Sequence, residues 1–113
     1  MQESELVEVL RALDARPGML LPEQCYGALV AYIEGFVAGA GSNELDGFKD
    51  WVASQVLGRE SSFHWSTIVA LAQSEQAGRA GLSVLSPEQS DRASKNLIEL
   101  LLRYLGAEAT AER

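Results

Sequence analysis

The chain has one cysteine, Cys25, and one histidine, His64, in 113 residues. A single thiol excludes an internal disulfide and suits a reducing compartment. It also excludes a zinc site built from Cys and His alone, and neither CxxC nor HExxH spacing occurs. Basic residues are scarce: nine Lys and Arg stand against sixteen Asp and Glu, a net charge of −7. A nucleic-acid binder needs cations to displace phosphate counterions. This field repels DNA, RNA and anionic membranes, and speeds encounter with a basic partner.

Long apolar runs are missing too. The least charged stretch, Cys25 to Asn43, is broken by Glu34 and by glycines, too short and interrupted for a membrane span. Residues 1–15 are acidic and amphipathic, unlike the basic-then-apolar pattern of a secretory leader, so a soluble, cytoplasmic protein is expected. No segment alternates with period two, which removes strands and hairpins. No solenoid-length repeat, Walker motif or GxSxG elbow is present. Glycines 35, 39 and 41 follow no strand, so they are not a dinucleotide fingerprint. Glu44, Asp46 and Asp50 lack the spacing of an EF-hand loop. No metal or cofactor is expected.

What is present is a helical pattern. A 47% hydrophobic, 22% charged chain of this length fits one domain that buries roughly two thirds of its unfolded surface. Apolar residues recur every three or four positions, giving an all-α, compact single-domain bundle of about five helices, near 3–15, 23–40, 44–57, 63–77 and 87–105. The first carries the stripe Leu6, Val9, Leu10, Leu13, with Glu3, Glu5, Glu8 and Arg11 on the wet side, Ser4 or an earlier residue as cap and Pro17 as stop. Gly18 is expected to permit a reversal and Met19–Leu21 to form a buried connector, with Pro22 either opening the second helix or holding Leu21 extended.

That second helix is expected to be the centre of the bundle. Tyr26, Leu29, Ile33, Phe36, Val37 and Ala40 mark its buried face, and its glycines at 27, 35 and 39 suggest close helix crossings, notably at 35 and 39. Asn43 is the expected cap of the third helix, with Leu45, Phe48, Val52 and Val56 inward and Gly58 as stop. The fourth starts near Ser62 and carries Trp65, Ile68 and Val69. Residues 78–86 are open between connector, short helix and lid. Ser86-Pro87-Glu88-Gln89 spells a capping box, Gly106 ends the last helix, and the tail beyond it is expected to fray.

Chemistry has few places to reside. Cys25 and His64 form the one possible thiol–imidazole pair, activated if Cys25 lies in a helix's first turn. Against this, a lone Cys is commonly a small buried hydrophobe. Phe63-His64-Trp65 is the most unusual tripeptide, a candidate recognition patch wherever it is exposed.

Arg16-Pro17-Gly18-Met19 with Leu21 resembles the RPGMYLG motif of a set of small bacterial proteins. Three further landmarks follow in the family's order: Leu29–Phe36, Gly47-Phe48-Lys49-Asp50-Trp51-Val52 and His64-Trp65-Ser66-Thr67-Ile68. Leu20 replaces the family's Tyr and Pro22 its Gly, and the last forty residues match only in being helical. The same motif occurs in topoisomerase ATPase domains beside nucleotide-binding motifs that this chain lacks.

Some members resemble immunity proteins encoded beside secreted toxins. The resemblance therefore implies a non-enzymatic protein-binding module that neutralises a basic toxin domain. Glu44, Asp46, Asp50, Trp51, Glu60 and His64 are the candidate contact residues. Alternatives are a cysteine-dependent enzyme or thiol sensor using Cys25 and His64, and a homodimer joined through exposed apolar surface on the last helix.

Overall fold

The computed structural model describes residues 4–21 and 23–107, the side chain of Met19 excepted. Glu3, the burial of Met19, Pro22 as a helix start and the fraying tail lie outside the described residues. All regular structure among the described residues is helical: α1 (Glu5–Ala15), α2 (Pro17–Leu20), α3 (Tyr26–Ala40), α4 (Phe48–Val56), α5 (Trp65–Leu71), α6 (Ala77–Ala80), a 3-10 turn (Leu82–Val84) and α7 (Pro87–Tyr104). The Cα radius of gyration, 13.5 Å, is close to the ~13 Å expected of one compact domain of this length. No helix among the described residues is long and apolar enough to cross a membrane.

The local signals set several boundaries as read. Ser4 caps α1 through its hydroxyl, 3.2 Å from the Val7 amide, while Leu6, Val7, Leu10 and Leu13 are buried. Val9 is only partly buried, and Val7 joins the stripe instead. The capping box of α7 is complete: Ser86 and Gln89 exchange bonds of 2.9 and 3.1 Å. Gly41, Gly58 and Gly106 end α3, α4 and α7 at positive φ. After each helix an amide reaches back five residues, as in Gly58 N–H to the Ala53 carbonyl.

The centre of the bundle is α7, not the helix expected at 23–40. α7 packs against α1, α3, α4 and α5 and buries Ala93, Leu97, Ile98, Leu101 and Leu102. Its outer face carries Asp91, Arg92, Lys95, Glu99 and Arg103, all exposed. The exposed apolar surface expected on the last helix is therefore absent, because its leucines face four neighbours at once. α3 buries Tyr26, Leu29, Val30 and Ile33, but Ala31, Gly35, Ala38, Gly39 and Ala40 are exposed. A Cβ placed on Gly27, Gly35 or Gly39 would meet nothing within 4 Å. The close crossings expected at these glycines do not exist.

Other expectations are corrected by local geometry. Arg16–Met19 is not a reversal: Pro17 opens a one-turn helix at its first position, and Gly18 has no positive φ. α3 starts at Tyr26, three residues late, because Cys25 in extended conformation supplies no side-chain cap. Instead Ser90 of α7 accepts from the Tyr26 amide at 2.7 Å, a cap delivered across the bundle. α4 starts at Phe48, not 44. Residues 44–47 form turns ending in Gly47 at φ 87°, a left-handed conformation that interrupts the helical path. Residues 78–86 are helical turns, with Leu82, Val84 and Leu85 laid against the core.

Candidate functional site

One end of the bundle gathers the unusual residues. Phe48 is fully buried beneath Trp51, Trp65 and Tyr104, with ring centroids 6.0, 5.8 and 5.3 Å away. Trp51 is half-buried and lies 5.4 Å from Tyr104. The Tyr104 hydroxyl donates to the Asp46 carbonyl at 2.6 Å, tying the end of α7 to the turn before α4.

His64 is the N-cap of α5, a position expected of Ser62. Its Nδ1 accepts from the Ser66 amide at 3.1 Å and lies 2.8 Å from the Ser66 hydroxyl. An acceptor at Nδ1 places the neutral ring's proton on Nε2, which donates to Glu34 Oε2 on α3 at 2.7 Å. The side chains of His64 and Glu34 remain 44% and 50% exposed. Below them the Tyr26 hydroxyl donates to the Ser66 carbonyl at 2.6 Å, and burial pushes that phenol well above its usual titration range.

The series Glu34, His64, Ser66 has the order of a carboxylate–imidazole–hydroxyl relay, but its geometry is that of a cap. Ser66 is only 6% exposed, so no substrate reaches its hydroxyl, and the same Nδ1 is shared with the Ser66 backbone amide. Nor is His64 paired with Cys25, since its two ring nitrogens face Glu34 and Ser66. Cys25 is exposed rather than core and precedes the first turn of α3. It lies between hollows of about 110 and 510 Å³ that also involve Gln24 and Asp91. No group of three His, Cys, Asp or Glu among the described residues could hold a metal ion.

A shallow groove of about 430 Å³ opens beside the Glu34–His64 pair, walled by Val37, Ala38, Leu45 and Trp65, with Glu34 and Ser42 on its rim. Ser42 in turn donates to Glu44 Oε1 at 3.2 Å. No protein-family model, curated protein or solved structure matches the chain.

The expected contact residues thus divide. Glu44 and His64 border the groove region through their bonds to Ser42 and Glu34. Asp46 and Trp51 belong to the Tyr104 contact. Asp50 is exposed on the first turn of α4, and Glu60 on the loop before α5. Two residues outside that set, Glu34 and Phe63, are also exposed. Phe63 is the one large hydrophobe exposed among the described residues, at 40%. It rests over Gly78, where an added Cβ would come within 3.0 Å of its ring. Sequence had singled out its tripeptide, whereas Glu34 carried no signal beyond being a lone charge on an apolar helix.

Proposed function

We propose that the chain is a non-enzymatic binding module that neutralises a basic protein partner in the bacterial cytoplasm, in the manner of an immunity protein against a toxin domain. The observation that supports this reading is the half-exposed Glu34–His64 pair, with exposed Phe63 directly before His64 in the chain. An exposed aromatic ring is the kind of anchor that protein contacts use. The surrounding segments add Glu44, Asp46, Asp50 and Glu60, against Lys49, Arg59 and Arg103. Such a surplus of acids accelerates association with a basic surface.

Enzyme chemistry at Cys25 and His64 lacks the contact it requires, as the imidazole is committed to Glu34 and Ser66. Co-expression with the product of the neighbouring gene tests the proposal. The expected result is rescue of growth and a co-purifying complex whose association slows as salt rises. A neighbour that is harmless, or that does not bind, removes the reading.

A further inference from the structure

We infer that the groove between α3, the 42–45 turn and α5 is the anchor site for the partner, and that it takes one large apolar side chain flanked by Lys or Arg. This inference rests on the binding reading above and specifies its chemistry. Val37, Ala38, Leu45 and Trp65 offer an apolar wall, and the volume of about 430 Å³ is ample for a single large side chain. The charge at its mouth has one sign. Glu34 lies on the rim, Glu44 is bonded to the rim residue Ser42, and among the described residues no Lys or Arg lines the groove.

Glu34 is bonded to His64 and Glu44 to Ser42, and an apolar anchor alone would bring neither carboxylate a Lys or Arg. A cation on each side of the anchor satisfies both, and a carboxylate there would be repelled. The groove is also pre-formed. His64 Nε2–H holds Glu34 at 2.7 Å, and the packing of Trp65 against Phe48 fixes the Trp65 wall. Little ordering is therefore needed on binding.

The test uses the full chain labelled with ¹⁵N and three blocked tripeptides: Arg-Trp-Lys, Gln-Trp-Gln and Arg-Ala-Lys. Arg-Trp-Lys at millimolar concentration should shift the amides of Ala38 and Ser42 and the Trp65 indole. Gln-Trp-Gln should bind about tenfold more weakly, and Arg-Ala-Lys should leave the indole unmoved. Glu34→Gln should reduce the affinity for Arg-Trp-Lys about threefold. Ala38→Trp, at an exposed position, should fill the groove and abolish binding while the circular dichroism stays native.

Shifts centred on the hollows around Cys25, equal binding of Gln-Trp-Gln, or no binding by Arg-Trp-Lys would each overturn the inference. With a whole partner in hand, full binding by Ala38→Trp overturns the groove alone. A partner that ignores the unmodified protein overturns the binding reading itself.

Discussion

The hydroxyl of Tyr104 lies 2.6 Å from the carbonyl oxygen of Asp46, and the next residue, Gly47, is where a side chain would strike it. A Cβ on Gly47 would sit 2.8 Å from that hydroxyl, at φ 87°. Two independent constraints therefore hold glycine there, one steric and one conformational. Together they decide where α4 begins.

A mutant cycle separates the two. Gly47→Ala should destabilise by about 2–3 kcal/mol, from the positive φ and the clash together. Tyr104→Phe should lose about 0.5–1.5 kcal/mol with the hydrogen bond. In the Tyr104→Phe background, Gly47→Ala should cost less, because the conformational strain alone remains. Denaturant unfolding of the four proteins measures the coupling. Strict additivity would show that Tyr104 does not crowd Gly47.

The cap that Ser90 supplies to α3 gives a second expectation. Ser90 is 8% exposed and Tyr26 1%, so Ser90→Ala leaves the Tyr26 amide buried and unpaired. The expected loss is about 1–3 kcal/mol. A loss below about 0.5 kcal/mol would mean that water replaces the hydroxyl.

Tyr26 also fixes the alkaline limit. Its folded phenol titrates far above the ordinary value of 10.0, because burial penalises the phenolate. The unfolded chain releases this proton near pH 10 and the folded chain does not. The contribution is complete below pH 10 and declines as pH rises beyond it, by up to about 1.4 kcal/mol per pH unit. Tyr26→Phe should flatten that slope in urea midpoints measured from pH 9 to 11, despite its own loss of the bond to Ser66. An unchanged slope would place the alkaline transition elsewhere.

At His64 the cap and the ion pair make opposite demands on mutagenesis. His64→Ala should lose about 1 kcal/mol with the α5 cap. His64→Asn, which retains an acceptor for the Ser66 amide, should restore most of it. Glu34→Gln should change stability by less than about 0.5 kcal/mol, since the pair is half-exposed. If Glu34→Gln matches His64→Ala in thermal or urea unfolding, the pair rather than the cap anchors α5.

What could be read from the residues follows from the range of the forces involved. Caps and stops such as Ser4, Ser86–Gln89, Gly58 and Gly106 act within a few residues, and they appear where the pattern placed them. The start of α4 was not legible, since it depends on Tyr104, 58 positions from Asp46. The same holds for α3, whose cap comes from Ser90, 64 positions from Tyr26. At the candidate site, the segment around His64 was visible as an unusual tripeptide. Its partner Glu34, thirty residues earlier, became visible only when α3 and α5 were brought together.

The glycines of α3 give the last expectation, and it reverses the one drawn from sequence. Gly35 and Gly39 are exposed, lie inside α3, and have no positive φ. A methyl group on either would meet nothing within 4 Å. Their backbone freedom in the unfolded chain is thus a loss on folding with no packing gain to offset it. Gly35→Ala and Gly39→Ala should each stabilise the protein by about 0.5–1 kcal/mol, raising the midpoint of thermal unfolding by roughly 2–6 °C. The pair should be close to additive, because two methyl groups on an open helix face share no third partner. A fall in the midpoint for either variant would show that another surface already lies against α3 in solution.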